Sequence, residues 1–315
     1  MFPFVGGALF GWALGANDAA NVFGTAVASN MIRYRTAVLL ASLFILLGAL
    51  LEGQVPAHTL GSLSEQTTRT AMITATIAAL TVIVMTGLKL PVSCSQAVVG
   101  AILGTGLCVA PGAIRWEGLV RIVICWVGTP PAAALLAAGL HVAIGALLMR
   151  LKLGIVTRSI VLKSGLLIAG CYGAYALGAN NVANVTGVYY QTSLLESLGP
   201  NRSMMLALMG GLSIAVGVIT YSRNVMLTVG RRLVQLGAMS ALVVVLAHAI
   251  TMHIFTYIGV PVSSSQAVVG AVLGIGLIKS VRTINRSTLV QILLGWVMTP
   301  AIAGTASYLV AAVAT

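Results

Sequence analysis

Leu14-Gly-Ala-Asn-Asp-Ala-Ala-Asn21 places three polar side chains inside an apolar run, and a near copy, Leu177-Gly-Ala-Asn-Asn-Val-Ala-Asn184, does so again. Asn and Asp side chains compete with helical hydrogen bonds by bonding their own backbone, so we expect each cluster to interrupt a helix. One such cluster could serve only to join two membrane helices. Two clusters, with the carboxylate of Asp18 among them, predict a binding site inside the membrane.

The composition indicates an integral membrane protein. Of the 315 residues, 59% are hydrophobic and only 7% are charged, whereas a soluble domain has roughly 25% charged residues. The apolar runs do not alternate with polar residues, which favours helices over a membrane barrel. No basic segment precedes the first run, so we expect no cleaved signal peptide.

The net charge of +12 does not predict a nucleic-acid partner. The Lys and Arg residues lie almost wholly between the apolar runs, where membrane topology and anionic lipids account for them. The cysteines show neither metal spacing nor a disulfide framework and are expected to be buried thiols. They are Cys94, Cys108, Cys125 and Cys171.

Two further motifs are duplicated. Pro91-Val-Ser-Cys-Ser-Gln-Ala-Val-Val-Gly100 recurs as Pro261-Val-Ser-Ser-Ser-Gln-Ala-Val-Val-Gly270, and Trp126-Val-Gly-Thr-Pro130 recurs as Trp296-Val-Met-Thr-Pro300. The order of the three motifs is the same in both copies. We therefore predict two homologous halves, residues 1–149 and 150–315, without a soluble domain.

The charged segments predict that the second half is inverted relative to the first. Basic residues cluster after the first apolar run in one half (Arg33, Arg35) but after the second run in the other (Arg223, Arg231, Arg232). Under the positive-inside rule, this exchange gives inverted repeats with both termini outside. The linker, with Arg150, Lys152, Arg158 and Lys163, then lies inside.

Eight apolar runs are visible, and a membrane span needs about 20 residues. They cover residues 3–32, 36–51, 70–108, 118–149, 164–195, 203–221, 235–278 and 288–313. The longest runs must therefore be broken helices, tilted helices or hairpins. For 70–108 and 235–278 we predict re-entrant helical hairpins with Pro-Val-Ser tips deep in the membrane. A full span followed by a short helix is the alternative.

Four helix N-termini are predicted to point toward the membrane midplane, after Asp18, Asn181, Ser95 and Ser265. Free N–H groups and about half a positive charge at each terminus favour a small anion, and hydroxyls and amides suit a tetrahedral oxyanion. Local capping of a tight turn is the alternative for the serines. The predicted anion ligands are Ser93, Ser95, Gln96, Ser263, Ser265, Gln266, Asn17 and Asn180.

Asp18 requires a cation or a proton, because an unpaired carboxylate in hydrocarbon is costly. Backbone carbonyls and amide or hydroxyl oxygens could complete a sodium shell around it. Glu52 lies at the end of an apolar run and has either a functional or an interfacial role. We expect His248 to be a hydrogen-bonded structural residue rather than a proton relay. The predicted cation ligands are Asp18, Asn21, Thr25, Asn181 and Asn184.

Over nearly its whole length the sequence resembles the inorganic phosphate transporter family. The residues that carry the resemblance are Gly15-Ala-Asn-Asp-Ala-Ala-Asn21 with Gly24-Thr25, Gly48-Ala-Leu-Leu-Glu52, and both Pro-Val-Ser-x-Ser-Gln segments. The resemblance implies sodium- or proton-coupled uptake of inorganic phosphate by a homodimer with an inverted-repeat fold and extracellular termini. It also implies that Asp18 and the hairpin serines contact the cation and phosphate.

Two departures leave the coupling ions open. The family usually repeats its Asp and its Glu, where this chain has Asn181 and Tyr221. We predict a secondary transporter of inorganic phosphate in the plasma membrane, with sodium favoured over protons. A sulfate permease is the alternative, since the family includes sulfate transporters, and a passive anion channel is less favoured. Without a catalytic dyad or zinc motif, an enzyme is not expected.

Overall fold

The computed structural model describes residues 2–88, 92–197, 199–232, 236–279 and 286–314. These ranges form helices without any strand, which confirms the predicted all-α class. The helices are α1 (Val5–Ala28), α2 (Tyr34–Glu52), α3 (Gln54–Gly61), α4 (Thr68–Gly87), α5 (Cys94–Val109), α6 (Trp116–Arg150), α7 (Ile155–Thr186), α8 (Ser193–Ser197), α9 (Arg202–Arg232), α10 (Ala238–Ile258), α11 (Ser264–Lys279) and α12 (Arg286–Ala314).

Seven of the described helices are long and apolar enough to cross a membrane: α2, α4, α6, α7, α9, α10 and α12. This supports the predicted integral membrane protein. Two shorter apolar helices, α5 and α11, have 16 residues each. Both follow the Pro-Val-Ser segments, so each long run from residue 70 and from residue 235 divides into a longer and a shorter helix.

The polar clusters do not break their helices, so this part of the prediction is wrong. α1 continues through Asp18 and Asn21, and α7 continues through Asn181 and Asn184. Their side chains hydrogen-bond other side chains rather than their own backbone, which leaves the helical hydrogen bonds intact. Among the described helices, only α5 and α11, rather than the four predicted, begin beside the clusters.

Several helices begin or end at residues that differ from the ends of the predicted apolar runs. α7 begins at Ile155, so Arg158 and Lys163 are helical and the linker shortens to residues 151–154. Likewise α9 continues to Arg232, which makes the basic residues after residue 221 helical. Charged residues continue these helices because a helix can extend beyond the hydrocarbon. Pro91, at the predicted hairpin tip, lies outside the described residues.

The cysteines are less buried than expected. Only Cys94 is fully buried, and Cys108, Cys125 and Cys171 are partly exposed. These three lie on helix faces that have no protein neighbour covering them completely. All four thiols are free.

Helices from before residue 150 pack mainly on helices from after it. α1 lies along α9 and α2 along α7, while α5 packs on α12 and α11 on α6. Glycines allow the closest contacts: a Cβ on Gly15 would overlap the carbonyl oxygen of Ile214, and one on Gly178 would overlap that of Ile45. Each polar cluster therefore begins at a point of direct helix–helix contact.

The clusters lie in the centre of the helix assembly. α10 is the most enclosed of the seven candidate spans, with 67% of its most apolar 18 residues buried, and α6 the least, with 17%. The exposed side chains of α6 are largely apolar, as expected for contact with lipid. The polar residues of α1 and α7 are thus enclosed by the main neighbours of these two helices, α2, α4, α9 and α10.

Candidate functional site

Asp18 is almost fully buried, and neutral donors surround its carboxylate. Asn17 Nδ2 donates to Oδ1 at 2.9 Å, and Asn181 Nδ2 donates to Oδ2 at 3.0 Å. The Cys94 thiol approaches Oδ1 at 3.8 Å. Hydrogen bonds to an ionised acceptor offset part of the cost of burying it. None of these three partners carries a positive charge.

Asn184 connects this carboxylate to the start of α5. Its Nδ2 lies 2.9 Å from Ser95 Oγ and 3.4 Å from Asn181 Oδ1. Ser95 in turn donates to the carbonyl oxygen of Val262 at 2.8 Å. A continuous hydrogen-bonded chain therefore links α1, α7, α5 and the connection before α11. Asn184 Oδ1 itself is buried and has no partner among the described residues.

Asn21 makes the corresponding contact to α11. Its Nδ2 donates to Ser264 Oγ at 3.1 Å, and His248 Nε2 lies 2.9 Å from the same hydroxyl. His248 is completely buried, and it is hydrogen-bonded as expected of a structural histidine. Each polar cluster thus reaches a short helix on the other side of residue 150: Asn184 reaches α5, and Asn21 reaches α11.

The predicted anion ligand Asn180 holds the connection between α10 and α11. Its Nδ2 donates to Thr256 Oγ1 at 3.2 Å and to the Val260 carbonyl at 3.1 Å, while its Oδ1 accepts from the Val262 amide at 2.9 Å. The chain leaves α10 through Gly259, whose φ of 78° suits glycine. The side chain of Asn180 therefore fixes the Pro-Val-Ser segment from outside it.

Ser93 and Ser263 cap the two short helices. Ser93 Oγ accepts from the Gln96 amide, and Ser263 Oγ accepts from the Gln266 amide, each at 3.3 Å. This is the capping role that the sequence left open as an alternative. Ser265 Oγ lies 2.9 Å from Ser263 Oγ. No anion contact is needed to explain these geometries.

The first turns of α5 and α11 nevertheless carry unused acceptors. Oε1 of Gln96 and Oε1 of Gln266 are buried and have no hydrogen-bond partner among the described residues. The two glutamines occupy the same position in the two copies of the motif. A buried polar atom without a partner is uncommon, so a bound ion or a protonated ligand would satisfy them.

Thr25 and Glu52 do not join the network around Asp18. Thr25 is partly exposed, and its described contact is local, from Ser29 Oγ to its carbonyl oxygen. Glu52 instead pairs with His253 and Tyr175, at 2.8 Å in each case. The described residues contain no group of three or more His, Cys, Asp or Glu able to hold a metal ion.

Sequence reasoning missed Cys94, Ser264 and Thr256. The first two are the middle residues of the Ser-x-Ser-Gln motifs, and both contact the polar clusters. Their position between two predicted ligands was a signal for their role. Thr256 had no such signal, because a threonine in an apolar helix commonly bonds its own backbone.

The model of the phosphate transporter family matches residues 14–162 and 149–307. This chain belongs to the phosphate transporter family. Its relatives in that family match it over almost their full length. A protein of Pyrococcus horikoshii named as a phosphate permease is 29% identical over 374 residues, covering 93% of this chain and 92% of that protein. One of Methanocaldococcus jannaschii with the same designation is 29% identical over 290 residues, covering 92% and 89%.

The architecture also matches that of a solved structure. The structure of a sodium-dependent phosphate transporter aligns with a TM-score of 0.85, covering 99% of this chain and 98% of the other. The two sequences are 22% identical, so this likeness concerns the fold. The two chains thus share one helix arrangement across a large sequence distance.

Proposed function

We propose that this protein is a sodium-coupled secondary active transporter of inorganic phosphate. Membership of the phosphate transporter family supports the substrate, and the name of the structural neighbour suggests sodium as the coupling ion. The observation that carries the coupling is the buried carboxylate of Asp18, which has only uncharged partners. A bound sodium ion would neutralise it.

The proposed sodium ligands are hard oxygens near Asp18. Asn181 and Asn184 belong to the same hydrogen-bonded chain as the carboxylate, and Asn184 Oδ1 is an unused acceptor. Sodium binding would turn amide oxygens, rather than amide nitrogens, toward the ion. Asn21, one turn after Asp18 on α1, completes the proposed ligand set, whereas Thr25 lies outside the network around Asp18 and is left out of it.

Phosphate binds, in this proposal, at the N-termini of α5 and α11. Two helix dipoles and the free N–H groups of the first turns favour an oxyanion there. Hydroxyls and amides from the same turns and from the adjoining helices contact its oxygens. The unused Gln96 and Gln266 oxygens would accept hydrogen bonds from a protonated phosphate oxygen. The proposed ligands are Ser93, Ser95, Gln96, Ser263, Ser265, Gln266, Asn17 and Asn180.

The proposal includes inverted repeats at residues 1–149 and 150–315, with α4–α5 and α10–α11 as re-entrant hairpins. The exchanged contacts of Gly15 with Ile214 and of Gly178 with Ile45 support the repeats. The 16 residues of α5 and of α11 support the hairpins, since a full span needs about 20. Extracellular termini and a homodimer complete the proposed arrangement.

Uptake by the purified protein in proteoliposomes tests this function. An inward sodium gradient is expected to drive accumulation of labelled phosphate above the external concentration. Asp18→Asn should abolish this accumulation, because the amide leaves no charge for sodium to neutralise. Glu65→Gln, which removes an exposed carboxylate, is the control and should transport normally. Equilibration without accumulation in the wild-type protein would indicate a passive channel instead.

A further inference from the structure

A second group of ionisable side chains lies outside the Asp18 network. Glu52, the last residue of α2, accepts a hydrogen bond from Tyr175 OH to Oε1 at 2.8 Å, and its Oε2 lies 2.8 Å from His253 Nε2. His253 Nδ1 lies 2.8 Å from Tyr172 OH. The ring of Tyr257 stacks on the imidazole, with centroids 4.8 Å apart. We call these five residues the Glu52–His253 cluster.

The hydrogen bonds of this cluster suit an imidazole that gains and loses a proton. Nε2–H donates to the Glu52 carboxylate in both states. When His253 is neutral, Nδ1 accepts the hydroxyl proton of Tyr172; when it is protonated, Nδ1–H donates to the same oxygen. A tyrosine hydroxyl can do either. Both ring nitrogens therefore keep a partner whether the proton is present or absent.

The cluster favours a proton over a metal ion. One Glu52 oxygen faces the Tyr175 hydroxyl, and the other faces an imidazole nitrogen that belongs to a group able to carry a proton, unlike the amides beside Asp18. Protonation of His253 beside the carboxylate creates an ion pair without leaving an unpaired charge. The side chains of His253 and Glu52 are 17% and 26% exposed, respectively, so neither is sealed inside the protein. Histidine is also the side chain that titrates nearest neutral pH.

The charged groups around His253 are few. α7 supplies Tyr172 and Tyr175, and α2 supplies Glu52. On α6, Arg121 binds the Ile258 carbonyl at 2.7 Å, five residues beyond His253. On α3, His58 is exposed. On α1, Asp18 has its described contacts with Asn17, Cys94 and Asn181. On α11, Lys279 binds Ser240 near the opposite end of α10. Glu52 is thus the only acidic group in direct contact with the imidazole among the described residues.

A physical link joins the cluster to the candidate phosphate site. Thr256, three residues after His253 on α10, accepts from Asn180 Nδ2 at 3.2 Å. Asn180 lies five residues after Tyr175 on α7 and binds the Val260 carbonyl and the Val262 amide, immediately before Ser263. A change in how α7 and α10 meet at His253 therefore reaches the segment that caps α11.

We propose that Glu52 and His253 form a second coupling-ion site of the transporter, whose ligand is a proton carried on His253 Nδ1. This inference rests on the proposed function, to which it adds a second driving ion. The corresponding position of Glu52 in the second half is Tyr221, which contacts Trp12 instead, so the described residues contain no second copy of this site.

Proteoliposome uptake under two separate driving forces tests the proposal. One set of vesicles carries an inward sodium gradient at equal pH, and the other carries equal sodium with an acidic exterior, within about pH 5 to 8. His253→Gln keeps hydrogen-bonding groups but cannot be protonated in this range. It should lose the pH-driven part of phosphate accumulation and retain the sodium-driven part. Phosphate protonates identically in every sample, so differences between variants report on the protein.

His58→Gln is the matched control, since it removes an exposed histidine on the neighbouring α3 and should behave as wild type. Equal pH-driven accumulation by His253→Gln and His58→Gln would overturn the proposal. Loss of sodium-driven accumulation in the wild-type protein would instead overturn the proposed function. If His253→Gln loses all activity, Tyr172→Phe decides, because it keeps the imidazole and its bond to Glu52. The pH profile of phosphate uptake by Tyr172→Phe should shift toward acid pH. An unchanged profile in this variant would also refute the proton site.

Discussion

Asn181 Nδ2 donates a hydrogen bond to Asp18 Oδ2 at 3.0 Å, although the two residues hold the same position in the two copies of the polar motif. The bond joins α1 to α7 in the centre of the protein. Two carboxylates at this distance would repel each other unless a proton or a cation lay between them. Asn at position 181 removes that repulsion and supplies a donor in its place.

Asn181→Asp should therefore increase the dependence on sodium. The variant places two carboxylates together, and a cation would have to screen them before the helices pack as they do now. We expect the melting temperature of the detergent-solubilised variant to rise with sodium concentration more steeply than that of wild type. Asn201→Asp, which adds an acid at an exposed position, controls for net charge. If the melting temperatures of the two variants rose equally with sodium concentration, this would contradict the close pairing of the two carboxylates.

Ser93→Ala and Ser263→Ala separate capping from anion binding. If the hydroxyls also contact phosphate, each variant should lose affinity by roughly 1.5–3 kcal/mol, the size of one hydrogen bond to a charged group. Binding of labelled phosphate measures this directly. Thr67→Ala is the matched control, because Thr67 caps α4 with a reciprocal hydrogen bond to Thr70. Stability lost equally in all three variants, with unchanged phosphate affinity, would leave the serines with capping alone.

Gly15→Ala and Gly178→Ala should destabilise the protein strongly. The added Cβ meets a backbone carbonyl oxygen in both cases, and backbone cannot move aside as a side chain can. Overpacking of this kind costs about 1–3 kcal/mol or more, so thermal unfolding in detergent should occur at a clearly lower temperature. Gly139→Ala on α6, where no atom lies within 4 Å, provides the control. Similar unfolding temperatures of all three variants would show that α1 and α9, and α2 and α7, pack less closely than the structure indicates.

Sulfate should compete poorly with phosphate. Both anions have similar size and shape, but hydrogen phosphate can donate a hydrogen bond and sulfate cannot. Oε1 of Gln96 and Oε1 of Gln266, which are buried in the proposed phosphate site without a partner among the described residues, can accept such a bond. Competition of labelled phosphate uptake by sulfate, with and without sodium, measures the preference. Equal competition by sulfate would make a sulfate permease the better assignment.

The apolar runs predict most of the helices, because burial in a membrane depends on local composition. The division of the runs from residue 70 and from residue 235 also follows from their Pro-Val-Ser segments. The continuity of α1 and α7 through the polar clusters does not follow from local sequence. Whether Asn21 and Asn184 break a helix depends on hydroxyls 243 and 89 residues away, at Ser264 and Ser95.

The candidate site shows the same division between local and distant information. The capping serines were visible as an alternative, since the cap lies within one turn. Glu52, however, lies 201 residues from its partner His253, and no pattern in either neighbourhood relates them. The residues that bear charge could be identified from sequence, but their pairing depends on how α2, α7 and α10 assemble.

The packing of α1 on α9 has a consequence for biosynthesis. α9 begins at Arg202, so the ribosome must have made almost two thirds of the chain before the main partner of α1 exists. Until then the helix that carries Asp18, which is not among the seven apolar span candidates, has no α9 to pack against. Contacts between distant segments form slowly because the intervening chain must be ordered first. Packing of α1 on its main partner is therefore a late event in the synthesis of this chain, whereas its contacts with α4 can form earlier.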